Sequence, residues 1–229
     1  MTVARLHAPA DLRLHDEATP LARDGHALLR ITSVGLCGSD RHWFAAGAIG
    51  GTTLDAPLVL GHEFAGVIAT GPDAGQRVVA EPAIPCRVCS TCRDGRTELC
   101  PTAGFAGYGD TDGALRTYAT WPAELLSGIP DTIGDDEATL LEPLGIALHA
   151  IDLAAVAPGA RVAVVGAGPI GQLVIRALQA GVGGAGEVLV KEPLAHRSDA
   201  ALVAGARPVR LGDEADVAIE CAGEDAAVD

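Results

Sequence analysis

The spacing of apolar and polar positions changes near the middle of the chain. Up to about residue 150, short runs such as HALLRITSVGLC, FAGVIATG, QRVVAEP and LRTYATWP alternate or cluster β-forming residues between glycine and proline turns, which predicts strands. The following segment, EATLLEPLGIALHAIDLAAVA, predicts a helix. We therefore predict two domains, residues 1–154 and 155–229, with their boundary in or just after this helix.

The second half alternates strands with helices. RVAVVGAGPIGQLVIRALQAG predicts a strand, a glycine turn and a helix, EVLVKEP a second strand, DAALVAGA a second helix and ADVAIECAG a later strand. Such alternation is typical of a doubly wound parallel sheet. The residues after Arg161 suffice for about one half of its six strands. We expect a truncated sheet with an open edge, in a chain that is a fragment, a shortened reading frame or a trimmed natural variant.

Composition and charge exclude some partners. The 229 residues carry a formal net charge of −14, which argues against nucleic acid and anionic membrane surfaces as partners. The longest uncharged apolar stretch, VAVVGAGPIGQLVI, is shorter than the roughly 20 residues of a membrane-spanning helix. The N-terminus, MTVARLHAPADLRLHDE, lacks the apolar segment and cleavage site of a secretory signal. We expect a cytoplasmic protein.

Four of the six cysteines lie within the segment CRVCSTCRDGRTELC. Their spacing allows one turn to present two sulfurs to a single ion, and four thiolates complete the tetrahedron of a zinc ion. Disulfides or free thiols are the alternatives, and the expected reducing compartment disfavours the disulfides. A closed site leaves no position for water or substrate, so we predict a structural zinc bound by Cys86, Cys89, Cys92 and Cys100.

The segment VAVVGAGPIGQL has the glycine pattern of a dinucleotide-binding turn between a strand and a helix. An acidic residue, Glu192, ends the second predicted strand, where it would bind the ribose hydroxyls and repel a 2′-phosphate, which favours NAD over NADP. The alternative is a glycine-rich turn beside a solvated glutamate. Arg197 either stacks on the adenine or is a surface charge. The predicted cofactor-binding residues are Gly166, Gly168, Pro169, Ile170, Gly171, Glu192 and Arg197.

Further residues of metal-ligand type lie in the segments GLCGSDRHWF, LGHEFAG and LLEPLG. Taken singly, a lone cysteine is usually a small core residue, and a lone histidine or glutamate is usually a surface or hydrogen-bonded group. The segments lie far apart in the sequence, so spacing alone assigns them no common site.

The motifs GLCGSD, VLGHEFAG, PCRVCSTCRDGRTELC, LLEPLGIALHA and VVGAGPIG, in this order, resemble the zinc-dependent medium-chain dehydrogenase/reductase family. The resemblance is strongest to its sorbitol, L-idonate and threonine dehydrogenase branch. It implies an α/β protein with an N-terminal GroES-like β-rich catalytic domain, which holds two zinc ions, and a Rossmann domain, which holds the nicotinamide nucleotide. The implied reaction is the reversible oxidation of an alcohol to a ketone or aldehyde.

The resemblance also implies individual roles. Ser39 corresponds to the hydroxyl that touches the substrate oxygen, and His42 to the outer member of a proton relay. The implied ligands of the catalytic zinc are Cys37, His62 and Glu63, with Glu142 as a fourth ligand or as the holder of its water. The four clustered cysteines correspond to the family's structural zinc site.

The implied substrate is a secondary alcohol of a polyol or sugar, because Glu142 stands where the ethanol-type branch has a cysteine. The family also implies a homodimer or homotetramer, although the segments that build the dimer face are missing from this chain. The alternative function is a catalytically incomplete zinc-binding fragment. A zinc-free quinone-reductase-like enzyme is disfavoured because Cys37, His62 and the four-cysteine segment occur together.

Overall fold

The computed structural model describes residues 1–223 and divides the chain into two compact units. The first unit is Met1–Leu141, and the second begins at Glu142. The sequence analysis placed this boundary at residue 154, so it moves to the start of the helix Leu141–Leu153. The reason is packing, because Ala147 and Ile151 of this helix are buried in the core of the second unit.

The first unit consists mainly of β-strands. Its strands are β1 Thr2–Ala8, β2 Asp11–Asp16, β3 His26–Gly35, β4 Ala48–Ile49, β5 Thr52–Thr53, β6 Leu58–Val59, β7 Glu63–Ile68, β8 Arg77–Ala80, β9 Ala83–Ile84, β10 Gly104–Phe105, β11 Tyr118–Pro122 and β12 Leu126–Gly128. Its α-helices are α1 Gly38–Ala46, α2 Ser90–Arg93 and α3 Asp135–Ala138, and short 3₁₀ turns span Thr97–Leu99 and Ala123–Leu125. The four strand-forming runs quoted above correspond to β3, β7, β8 and β11.

A five-stranded antiparallel sheet in the order β11-β3-β7-β8-β12 is the centre of this unit. Its core contains Phe64 and Trp121, whose rings meet edge to face with centroids 5.5 Å apart. The pairing of β3 with β7 ends with Gly35 opposite Glu63. The chain segments that follow β3 and precede β7 therefore emerge at the same edge of the sheet, which brings the CGSD and GHE motifs together.

The second unit contains a four-stranded parallel sheet. Its strands are β13 Arg161–Val165, β14 Glu187–Lys191, β15 Arg207–Pro208 and β16 Val217–Glu220, and its helices are α4 Leu141–Leu153, α5 Pro169–Gln179 and α6 Ala195–Val203, with a 3₁₀ turn at Val182–Gly184. The strand order β15-β14-β13-β16 corresponds to the first four positions of the 3-2-1-4-5-6 order of doubly wound nucleotide-binding sheets. The predicted α/β fold with a Rossmann-type sheet is confirmed.

Three local predictions differ from the structure. The long predicted helix is split into α3 and α4, because Pro143 has no N–H to bond the carbonyl of Thr139 and continue one helix across this point. Helix α6 begins at Ala195, four residues before the predicted segment. The short edge strand β15 was not predicted; it pairs with β14, and Arg207 there forms ion pairs with Glu187 and Asp213.

Among residues 1–223, none of the helices combines the length and the apolar character that crossing a membrane requires.

Candidate metal centres and nucleotide-binding turn

The four clustered cysteines converge in a small loop of the first unit. The sulfur atoms of Cys86, Cys89, Cys92 and Cys100 all lie within 4.8 Å of one another. The Cys86 and Cys92 Sγ atoms are 4.0 Å apart. This is close to the ~3.8 Å between the sulfurs of a tetrahedral zinc with Zn–S bonds of about 2.3 Å. None of the six cysteines, all of which lie within the described residues, is joined in a disulfide.

Backbone amides of the loop donate to the sulfur atoms. The N–H of Cys86 donates to Cys100 Sγ at 3.3 Å, that of Cys89 to Cys86 Sγ at 3.4 Å, and that of Cys92 to Cys89 Sγ at 3.4 Å. The last bond caps the N-terminus of α2. A sulfur that accepts such bonds is stabilised as a thiolate, which is the form that binds metal.

The pKa values of these thiols differ, which indicates that the four sulfurs do not ionise together without a cation. The N–H groups of Val88 and Cys89 lower the pKa of Cys86 to about 6, whereas burial beside the other sulfurs raises the pKa of Cys92 to about 12. Four thiolates this close would repel one another, so all four can ionise together only around a positive ion. An all-sulfur tetrahedral set is the donor set of structural zinc.

A second group of metal-ligand type combines Cys37, His62 and Glu63, whose ligand atoms also lie within 4.8 Å of one another. Cys37 immediately precedes α1, and the other two residues enter β7. His62 and Glu63 are 6% and 8% exposed, whereas Cys37 is half-buried. The chain turns into β7 at Gly61, whose φ of +92° lies in the left-handed region that glycine tolerates.

The electrostatics of this second group favour ligand chemistry. A hydrogen bond with His62 lowers the pKa of the Cys37 thiol below its ordinary value, with a further contribution from Ser39 and an opposing one from burial. Burial raises the pKa of the Glu63 carboxyl, and the nearby Asp40 carboxylate adds to this rise. A buried carboxylate beside a thiol and an imidazole is unfavourable when charged unless a cation compensates it. The residues therefore fit a divalent metal ion.

Asp40 is a residue of this site to which the sequence analysis gave no role. It is 4% exposed, and its carboxylate accepts hydrogen bonds from the backbone N–H of Cys37 at 2.9 Å and of Gly61 at 3.1 Å. Its Oδ1 lies 3.9 Å from His62 Nδ1. One buried carboxylate thus ties together the two loops that carry Cys37 and His62. The sequence contains one feature that could have pointed to Asp40: it is an acid three residues after Cys37, which is the spacing of a helix capping box.

Helix α1 has one buried face and one face that is turned toward solvent. Asp40 and Trp43, three residues apart, are buried, whereas Ser39 is half-buried and His42 is exposed. Ser39 contacts the Cys37 sulfur through a hydrogen bond. Residues three apart on a helix are neighbours on its surface, so Ser39 and His42 lie side by side on α1, and the proton relay between them stays a prediction. Glu142 lies in the second unit, and its role at this site stays a prediction.

The glycine turn of the second unit has the close packing that its sequence predicts. Gly166 has φ +88°, and a Cβ there would lie 2.8 Å from the backbone nitrogen of Ala222. A Cβ on Gly171 would overlap the carbonyl oxygen of Gly166. Gly168 is the N-cap of α5, with Pro169 and Ile170 as its first helical residues. The amides at this helix end point to the place that a pyrophosphate takes in such turns.

Two charged residues border this turn. Glu192 accepts hydrogen bonds from the N–H of Ala167 at 2.7 Å and of Leu194 at 2.9 Å, so both of its oxygens are fixed beside the glycine loop. Arg197 Nη1 lies 3.7 Å from the position of a Cβ on Gly168, and apart from the chain neighbours of Gly168 no other atom of residues 1–223 comes within 4 Å of that position. The backbone at Gly168 is therefore open to a phosphate and has a cation close by, which fits a dinucleotide.

Comparison with known proteins identifies the family. Residues 23–131 match the alcohol dehydrogenase GroES-like domain. Sorbitol dehydrogenase of Bombyx mori is 32% identical over 244 residues, which cover 96% of this chain and 70% of that protein. D-xylulose reductase A of Aspergillus oryzae is 40% identical over 169 residues, which cover 71% of this chain and 47% of that protein. The chain thus spans about half the length of several curated relatives that it matches.

A solved structure agrees with these relatives. The crystal structure of a short chain alcohol dehydrogenase from Escherichia coli CFT073, complexed with NADH, has a TM-score of 0.81 and 29% identity to this chain, and the match covers 97% of this chain and 63% of that one. The match to this structure covers both units of the chain. The quoted motifs are likewise found in both units. The chain belongs to the zinc-dependent medium-chain dehydrogenase/reductase family of alcohol dehydrogenases, in its sorbitol dehydrogenase-like branch.

Proposed function

We propose that this chain is the zinc-binding and nucleotide-binding part of a dehydrogenase that exchanges hydride between a secondary alcohol of polyol type and NAD. The observation that carries the proposal is the convergence of Cys37, His62 and Glu63. Three protein ligands leave one position of a tetrahedral zinc open, which is the arrangement of catalytic rather than structural sites. Glu142 is proposed as the fourth ligand or as the holder of a water in that open position.

Zinc bound there would supply a Lewis acid for the alcohol or carbonyl oxygen, and NAD would accept or return the hydride. The chain's own residues handle the proton. The Ser39 hydroxyl, beside the Cys37 sulfur, would take the proton from the substrate hydroxyl. His42, exposed one turn further along α1, would pass it to water as the outer member of the relay.

The four-cysteine group has a different proposed task. Its four sulfur donors would saturate a second zinc ion, so this ion takes no part in the reaction. The loop has little apolar surface to bury, and Val88 and Leu99 within it are exposed. We therefore assign to this ion the ordering of the loop, with a total of two zinc ions per chain.

The substrate class follows from the relatives. Two of them are named for sorbitol and D-xylulose, a polyol and a sugar. A site with one thiolate and one or two carboxylates is harder than a site with two thiolates, and it suits oxygen-rich substrates that bring further hydroxyl groups near the metal. We propose a vicinal diol or longer polyol rather than ethanol.

The chain loaded with zinc and supplied with NAD should produce NADH from sorbitol or xylitol at a higher rate than from ethanol. Fluorescence of the reduced nicotinamide measures this, with zinc-free protein as the blank. If NADH binds but no polyol yields turnover, the catalytically incomplete zinc-binding fragment replaces this proposal. If ethanol is oxidised faster than the polyols, the substrate class is wrong while the dehydrogenase assignment stands.

We expect NADH to bind at least about ten-fold more tightly than NADPH, a difference of ~1.4 kcal/mol. The Glu192 carboxylate is fixed beside the glycine turn, where a 2′-phosphate would meet a like charge that costs several kcal/mol. Glu192→Gln keeps the shape but removes the charge, so the preference should shrink. Titration calorimetry measures both affinities, and Glu214→Gln, at an exposed carboxylate, is the control. Tighter binding of NADPH would instead assign Arg197 or Lys191 to the phosphate.

A further inference from the structure

Gly35 lies directly opposite Glu63 at the end of the β3–β7 pairing. A Cβ atom added to Gly35 would overlap the Oε2 atom of Glu63 and would lie 3.0 Å from the Glu63 Cβ. Residues directly opposite on antiparallel strands project to the same face, with Cβ atoms ordinarily about 4.5–5.5 Å apart. The space beside Gly35 is therefore occupied by the Glu63 side chain, and no larger residue can share it.

The backbone gives no other reason for a glycine at this position. Gly35 is not among the residues with positive φ, unlike Gly61 a few positions before Glu63. Glycine also weakens a strand, because it has no side chain to pack and loses more entropy on folding. The cost of placing glycine here is thus offset by the room it leaves for its neighbour.

The Glu63 carboxylate uses that room to reach the metal-type group. Its side chain lies across the position of the missing Cβ, and its carboxylate meets Cys37 and His62 within 4.8 Å. The clash would fall mainly on the carboxylate end of the Glu63 side chain. Because this end is the freest part of the side chain to move, an alanine at position 35 would displace the carboxylate before it disrupts the strand.

We propose that Gly35 is a positioning residue for the zinc site: its missing side chain lets Glu63 fold over the end of β3 and present its carboxylate to the ion. This inference rests on the three-residue zinc site proposed above. It adds that the glycine two residues before Cys37 selects Glu63 as a ligand, so position 35 controls whether the site has two or three protein ligands from this unit.

The test compares Gly35→Ala with Gly38→Ala in the full chain. Gly38 is the matched control, because it flanks Cys37 on the other side and, beyond its own helix and chain neighbours, a Cβ there meets no atom of the described residues within 4 Å. Zinc content is measured by mass spectrometry after dialysis against a weak chelator. We expect Gly38→Ala to retain both ions and Gly35→Ala to keep only the four-cysteine ion, with its zinc affinity at the second site lowered by about ten-fold or more.

A double variant separates the carboxylate from the strand. In a Glu63→Ala background the carboxylate is gone, so adding Gly35→Ala should change the remaining zinc affinity by less than about two-fold, within the error of additivity. An equal loss of affinity in both backgrounds would overturn the inference, as would unchanged zinc binding by Gly35→Ala. Failure of the double variant to fold would place the conflict in the strand backbone and would also overturn it. If His62→Ala keeps both ions, the zinc site itself is wrong.

Discussion

Replacing Cys89 by serine is expected to release one zinc ion per chain and to lower the melting temperature by roughly 10 °C. Structural zinc sites in small domains carry about 10–16 kcal/mol of apparent binding free energy, all of it coupled to folding. Loss of even a quarter of that, ~3 kcal/mol, shifts the melting temperature of a chain of this size by about 6–12 °C. Scanning calorimetry together with metal analysis measures both effects.

The physical reason lies in how little else holds the loop together. Cys89 caps α2 by accepting the N–H of Cys92, and its own N–H donates to Cys86 Sγ. The helix has only four residues, which is too short to be stable by itself. Without the ion, nothing would offset the repulsion between ionised sulfurs this close together, and the bonds that close the loop would be lost.

Cys221→Ser is the matched control for this prediction. Cys221 is half-buried in the second unit, outside both metal-type groups, and burial raises the pKa of its thiol to about 11. The same substitution there removes a sulfur without removing a ligand, so the zinc content should stay at the parent value. A Cys89→Ser protein that keeps its full zinc content and melting temperature would contradict the structural assignment.

The general fold could be predicted because its signals are local and periodic. The strands β3, β7, β8 and β11 and the strand–turn–helix β13–α5 each occur where the apolar spacing predicts them. The domain boundary and the start of α6 could not, because they depend on packing between distant segments. Ala147 and Ile151 look the same in the sequence whether their helix belongs to the first or the second unit, and only burial assigns them to the second.

The metal-type residues also divide into a group that the sequence could predict and a group that it could not. The four cysteines are close in sequence, so their spacing predicts their grouping, whereas Cys37 and His62 were joined only by resemblance to a family. The structure supplies the missing link, since the register of β3 against β7 fixes which ends meet. Asp40 lies at the capping-box position of α1, but that spacing does not show that its buried carboxylate also accepts the N–H of Gly61. Gly35 escaped the sequence analysis because a missing side chain has no spacing pattern.

His62→Ala is expected to lose one zinc ion while retaining the other, and to lose its turnover of polyols completely. In the proposed site the imidazole is one of three ligands from the first unit, and the other two would not close the site without it. Removing residues that merely orient a ligand costs about 10–100-fold in metal affinity, so removing a ligand should cost more than about 100-fold. Metal analysis and NADH production on the same preparation measure the two losses.

The His62→Ala experiment distinguishes a zinc-dependent dehydrogenase from a zinc-binding remnant of one. It can do so because the zinc content of each metal-type group is expected to change independently of the other. The four-cysteine ion should stay, and the melting temperature should fall only slightly, since His62 belongs to the other ligand group. His26→Ala removes a half-buried imidazole at the start of β3, which bonds Arg23 and the Asp24 carbonyl, and should leave zinc and turnover unchanged. If His62→Ala keeps both ions and normal rates, Cys37, His62 and Glu63 do not form the reaction centre. If it loses an ion from a protein that never turned over polyols, the group binds zinc without catalysis, and the chain is a zinc-binding remnant of a dehydrogenase.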